Sequence, residues 1–283
     1  MLSTLRTLFK MTRPVNIVIA VITLLVGYEL LGHQPGYPLI AQALAFAFAI
    51  GFANIQNDIL DLESDKLNRP ERPLVTGKVS VKAARTAWIT MVILALACGL
   101  ADRFASLGFF VLLAVLLIAY NKWLKHIPLV KNMTVAFLCT TPLLFALQYF
   151  YNFLHPFPES IAHSIIPAIG FAFLLTTARE IYKDLEDEAG DRKAGIMTFP
   201  LFAGSKAANR LAGAIVLLTW LSLPIPVFFL GEQMLFLIIT GITLTPLFAA
   251  TLIFAHKKSY RQAQKLVKVA MFAGLVALII SSN

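Results

Sequence analysis

Asp58, Asp61 and Asp65 lie in the stretch NDILDLESD, and Asp184, Asp187 and Asp191 repeat their spacing in KDLEDEAGD, 126 residues further on. Eleven of the fifteen acidic residues lie in or beside these two stretches. Packed carboxylates repel: two at 6 Å cost about 3 kcal/mol at an effective dielectric near 20. A chain that gathers them twice in one pattern is built to hold cations. Oxygen-only ligands suit hard divalent ions, and magnesium in particular shares its shell with water and substrate phosphates. His33, His126, His155, His163 and His256 are scattered, and Cys98 and Cys139 sit in separate apolar stretches, so zinc, iron and a disulfide are not expected; buried spectator thiols are.

On a helix, positions i, i+3 and i+7 cover a sector of roughly 60°. Each triplet therefore presents its carboxylates along one stripe. The remaining residues say what kind of helix this is. The 283-residue chain is 58% hydrophobic and 14% charged, with a mean hydropathy of +0.77. That composition predicts an all-α polytopic membrane protein, because a bilayer demands that backbone groups pair internally. Nine spans are expected, near 15–33, 37–57, 84–101, 105–121, 132–151, 160–180, 211–230, 233–255 and 266–282. Each triplet stands at the foot of an even-numbered span, the second and the sixth. After Asp65 the Arg-Pro pairs at 69–70 and 72–73 oppose helix, and after Asp191 RKAGIMTFP also reads as a loop.

With the amino terminus in the cytoplasm and alternating spans, 23 of the 24 Lys and Arg residues fall on cytoplasmic segments, Arg103 being the exception. Both acidic stretches then face the cytoplasm. The net charge of +9 reflects topology and attraction to anionic headgroups, and the spread of basic residues over five segments excludes a nucleic-acid surface. The repeat predicts two similar four-helix units plus a ninth helix, forming one integral-membrane domain over 1–283 and one bundle around a central cavity. Duplication also makes it improbable that both clusters are mere solvated loop charge; Glu63, Glu71, Glu186 and Glu188 suit that plainer reading.

Arg69, Arg72, Lys125, Arg179, Lys183, Arg192 and Lys193 fall at the same membrane level as the acids. Metal with Arg and Lys around a cavity describes a diphosphate site. Arg179 and Lys183 equally suit neutralising Glu180 and Asp184. An apolar cavity in a chain with 22 Phe points to an isoprenyl diphosphate. Such an allylic substrate ionises once its leaving group is neutralised, and aromatic faces stabilise the cation.

NDILDLESDKLNRPERPLVTGKVS resembles the first Asp-rich motif of the UbiA superfamily of intramembrane prenyltransferases, and REIYKDLEDEAGDRKAGIMTFP resembles the second. Tyr120 to Lys125, followed by Asn132, resembles the family's Tyr/Lys segment after its fourth helix. The resemblance implies nine helices, a cavity open to lipid, and Mg2+ bridging both motifs to a prenyl diphosphate. It places Asn57, Asp61 and Asp65 on the NxxxDxxxD pattern with Asp58 alongside, and Asp187 and Asp191 on the DxxxD pattern with Asp184 one turn before. Asp61, Asp65, Asp187 and Asp191 are the expected catalytic residues, and with Asp58 and Asp184 the expected metal ligands. Asn57, Arg69, Arg72, Tyr120, Lys125, Asn132, Arg179, Lys183 and Arg192 are the expected substrate contacts.

Within the superfamily, NRPxRPL and REIxKDxED look most like the branch that transfers geranylgeranyl to geranylgeranylglyceryl phosphate. The expectation is thus a multi-pass, Mg-dependent prenyltransferase of isoprenoid lipid biosynthesis, with a lipophilic acceptor and no obligatory protein partner. An aromatic acceptor of 4-hydroxybenzoate, homogentisate, dihydroxynaphthoate or chlorophyllide type is the alternative. A divalent-cation transporter is the rival from another class. It predicts acids on both membrane faces or along a pore, and only Glu29, Asp102, Glu159 and Glu232 stand opposite, without pattern. An idle prenyl-lipid-binding protein would need fewer metal ligands.

Overall fold

The computed structural model describes residues 2–150, 159–230 and 234–282. The expected end of the fifth span at 151 and start of the eighth at 233 lie outside them, as do His155 and Glu232. All regular structure among the described residues is helical: α1 Leu2–Met11, α2 Pro14–Leu30, α3 Pro38–Leu60, α4 Leu62–Asn68, α5 Val81–Asp102, α6 Phe104–Lys122, α7 Val130–Phe150, α8 Glu159–Ala194, α9 Phe199–Ala203, α10 Ser205–Leu221, α11 Ile225–Leu230, α12 Met234–His256 and α13 Tyr260–Ser282, with a 3-10 turn at Leu124–His126. Among the described residues eight helical segments, α10 with α11 counted as one, are long and apolar enough to cross a bilayer, and α1 with α2, bent by 50°, makes a ninth crossing if counted as one span. The chain is an all-α polytopic membrane protein.

Three details depart from the expected spans. α1 precedes the first of them, set off from α2 by Arg13 with φ 56° and by Pro14 in the first helical position. The seventh span is interrupted: α10 stops at Leu221, and Pro224, which has no N–H to give, precedes α11. The sixth runs without a break to Ala194, so the second acidic stretch is helix throughout and ends only at Gly195, with φ 67°.

Two compact units comprise Met1–Leu25 with Gln34–Lys125, and Val26–His33 with His126–Asn283. In the first, α3 packs most extensively on α5 and also meets α6 and α1. Met11, Ile55, Leu74, Val79 and Ala84 form a core at the end of the unit that carries the first acidic stretch. Lipid tails are as apolar as leucine, so helices in a bilayer associate through small residues and polar links. Asn121 Nδ2 donates to the Ala53 carbonyl at 2.8 Å and to Gln56 Oε1 at 3.0 Å, tying α6 to α3. Asn54 Nδ2 donates to the Thr12 carbonyl at 3.0 Å, tying α3 to the α1–α2 bend. At the opposite end Asp102 accepts from Gln42 Nε2 at 3.2 Å and from Ser106 Oγ.

In the second unit α8 is central, flanked by α7, α10 and α13. Ala178, Ala208, Ala212, Ala263 and Ala270 are fully buried in this core and let the backbones approach. An apolar cavity of about 30 Å³ beside Leu175, Leu244, Phe248 and Met271 is far too small for a prenyl chain. Cys98 and Cys139 are free, but neither is buried: Cys98 is half-buried and Cys139 exposed on α7, as a lipid-facing helix allows.

α5 meets α6 most tightly at Gly99, where an added Cβ would lie 2.9 Å from Phe110 Cδ2 and 3.4 Å from the Leu107 Cα. Phe110 is itself buried and cannot yield. Gly99→Val is expected to destabilise the protein by about 1–3 kcal/mol. Thermal unfolding in detergent checks this; an unchanged midpoint would contradict the close approach.

Candidate active site

The first acidic set straddles the junction of α3 and α4. Asp61 sits between the two helices with φ −88° and ψ 5°, yet the hydrogen bonds continue through it, since its N–H reaches the Asn57 carbonyl at 2.9 Å and its carbonyl accepts from Asp65 at 2.8 Å. The break is thus only a nick, and the stripe survives it. Asp58 and Asp65 are buried, while Asp61 is half-buried.

Cations from the same unit engage all three. Arg72 Nη1 pairs with Asp58 Oδ1, and its Nε lies 3.9 Å from Asp65. Arg13 reaches Asp58 at 3.5 Å. Lys125 Nζ stands 2.5 Å from Asp61 Oδ1 and 3.2 Å from Asn57 Oδ1, and Asn57 Nδ2 donates to Asp61 Oδ2 at 2.9 Å. Asn57, Asp58, Asp61, Asp65, Arg72 and Lys125 thus form one network. The Arg-Pro loop that breaks the helix also returns Arg72 to it: the Arg72 N–H bonds the Arg69 carbonyl at 3.0 Å. Arg69 itself is exposed and makes no ion pair among the described residues, and Tyr120 is half-buried near the end of α6.

The second set is carried by the last turns of α8. Asp184 is buried, and both its oxygens are taken: Lys131 Nζ donates to Oδ1 at 2.7 Å and Asn132 Nδ2 to Oδ2 at 2.9 Å. Asp187 is exposed and Asp191 half-buried, and neither carboxylate has a hydrogen bond or ion pair among the described residues. Lys131 and Lys183 nevertheless lie close enough to Asp191 to attract it, and Asp184 and Asp187 close enough to repel it. Arg179 neutralises Glu180 at 2.9 Å, the plainer of its two expected roles. Lys183 is exposed and does not pair with Asp184. Arg192 is also exposed and pairs with Glu188 at 3.0 Å, which further accepts from Ser205 Oγ at 2.7 Å.

Arg13 and Lys131 were not among the expected site residues. Both read as topological charge, although Lys131 adjoins Asn132 in sequence. Among the described residues no three acids converge tightly enough to bind a cation unaided. The donors fit a hard cation in chemistry, being oxygen throughout, and Asp187 and Asp191 are accessible to one. The remaining positions of its shell would belong to water and phosphate.

A model of the UbiA prenyltransferase family matches residues 20–276, and the chain belongs to that family. It is a membrane-embedded prenyltransferase. Digeranylgeranylglyceryl phosphate synthase of Ignicoccus hospitalis is 31% identical, over 98% of this chain and 91% of that protein. A solved structure concerned with digeranylgeranylglyceryl phosphate synthase in membranes superposes with a TM-score of 0.81 at 25% identity, over 99% of this chain and 98% of that one. A UbiA homologue from Archaeoglobus fulgidus, bound to DMAPP and Mg2+, shares the fold with a TM-score of 0.67 at 20% identity, over 96% of this chain and 99% of that one.

Removing Arg72 would leave Asp58 buried without its main partner. Arg72→Ala is expected to cost about 3 kcal/mol, and Asp58→Asn in the same chain to return most of it. Thermal midpoints of the single and double variants check this; equal destabilisation in both would contradict the pairing.

Proposed function

We propose that this chain transfers a geranylgeranyl group from its diphosphate to geranylgeranylglyceryl phosphate in a magnesium-dependent reaction on the cytoplasmic side of the membrane. The observation that carries the reading is the pair of acidic stripes in one register, each at a helix end, the first paired with Arg and Lys and the second with Lys from its own unit. The names of full-length relatives support the acceptor, and DMAPP and Mg2+ in the Archaeoglobus fulgidus homologue support the donor and metal classes.

Asp61, Asp65, Asp187 and Asp191 would hold the metal, and when bound it neutralises the diphosphate leaving group. Lys125, held beside Asp61 at 2.5 Å, is placed to turn an ammonium toward phosphate oxygens. Arg69, Lys183 and Arg192 are exposed cations at the same helix ends and add positive charge where the diphosphate departs. Heterolysis of the allylic C–O bond sends its electron pair to the diphosphate. A glycerol hydroxyl then bonds the allylic carbon and gives up its proton to the departed diphosphate. Arg13, Arg72 and Asn57 act before chemistry, keeping the acidic stripe in place without substrate.

Purified protein incubated with labelled geranylgeranyl diphosphate and Mg2+ is expected to label geranylgeranylglyceryl phosphate. 4-Hydroxybenzoate, homogentisate and dihydroxynaphthoate should stay unlabelled when the extracted lipids are weighed by mass spectrometry. Asp61→Ala and Asp187→Ala are each expected to lose transfer by at least about 100-fold while still inserting in membranes. Turnover retained in both variants, or under chelation, would refute the mechanism, and labelling of an aromatic acceptor alone would refute the substrate.

A further inference from the structure

The two triplets share a spacing and, at their first position, a use. In each, the first carboxylate is buried and tied to side chains of its own unit: Asp58 to Arg72 and Arg13, Asp184 to Lys131 and Asn132. Asp184 is the fuller case. Its amide partner cannot be turned round, because only the Nδ2 of Asn132 can donate to a carboxylate, and Lys131 fills the other oxygen. Asn132 is wholly buried and its Oδ1 has no partner among the described residues, so the link to Asp184 is what its burial secures. Lys131 and Asn132 form the first turn of α7, which Asp184 thereby fastens to α8.

We propose that Lys131 is a built-in counter-ion that withholds Asp184 from the metal, leaving Asp187 and Asp191 as the carboxylates of the second set that bind it. Lys131, Asn132 and Asp184 then fasten α7 to α8 without touching the metal. The proposal rests on the metal reading above and refines it. An ammonium at 2.7 Å already supplies the charge a divalent ion would offer that carboxylate, and the Asp184 side chain, only 6% exposed, has no open side left for one, whereas Asp61, though paired with Lys125, is 32% exposed. Displacing it would leave a lysine only 21% exposed without its anion, a cost that does not arise at the open Asp187.

The test uses Mn2+ as a spin probe on the full chain in detergent, with free Mn2+ read by electron paramagnetic resonance and folding by thermal midpoint. Lys131→Met/Asp184→Asn conserves net charge and removes the ion pair. It is expected to keep the Mn2+ Kd within about threefold of the parent, while Asp187→Asn and Asp191→Asn each weaken it by at least about tenfold. Lys131→Met alone should lower the thermal midpoint, and adding Asp184→Asn should restore it, a rescue that a ligand role does not provide. Lys131→Gln/Asp184→Asn is the second charge-neutral variant should the first not fold. If the double variant loses Mn2+ as Asp187→Asn does, Asp184 is a ligand and the proposal is overturned. If neither Asp187→Asn nor Asp191→Asn changes the Kd, it is the underlying metal reading that fails instead.

Discussion

Carboxylates at the edge of a bilayer need a counter-charge at all times, not only when a substrate is bound. That constraint organises both acidic sites. A stripe of like charges on a helix end would unravel it, protonate, or draw in whatever cation is near. The chain supplies its own. Arg72 is returned to Asp58 by the loop that its neighbouring prolines impose, and Lys125 follows directly from the end of α6. In the second unit Lys131 does the same from the opening turn of α7. The basic residues of these helix ends therefore include several that hold the acids in order.

The surrounding helices meet the demands of these ends without the hydrophobic effect that drives soluble cores. Where α5 closes on α6 a glycine allows it, and where α8 lies among its neighbours a run of alanines does. Buried amides complete the work. Asn121 and Asn54 each reach a backbone carbonyl close to the first acidic set, so the turn bearing Asn57 and Asp58 is pinned from two sides. Such links fix rotation about the helix axis, and rotation decides whether a stripe faces its cations.

Much of this was legible in the residues themselves. Hydropathy and the distribution of Lys and Arg predict the helical membrane class, and the helical stripes follow from spacing alone. The break at Asp61 was not, because no Gly or Pro marks it and its hydrogen bonds continue through it. Nor were the last residues of α8, since Arg192, Lys193 and Ala194 run into Gly195 and read as loop yet continue the helix. The interrupted seventh span had a visible cause in Pro224, but Pro142, Pro167 and Pro246 lie within continuous helices, so proline alone does not decide. Pairing was least legible. Lys131 and Arg13 look like any other juxtamembrane base, and only a fold that carries them to Asp184 and Asp58 distinguishes them. Lys183, adjacent to Asp184 in sequence, points elsewhere because neighbours on a helix do not face each other.

The central claim is that the carboxylates of these helix ends, with Asp187 and Asp191 the ones no base occupies, take up the cation that accompanies a prenyl diphosphate. Anomalous diffraction from crystals grown with Mn2+ and a non-ionising prenyl thiodiphosphate tests it directly. The account predicts manganese bonded to oxygens of Asp187 and Asp191, with Lys131 still on Asp184. Manganese absent from the acidic helix ends, in crystals that hold the diphosphate elsewhere, would contradict it.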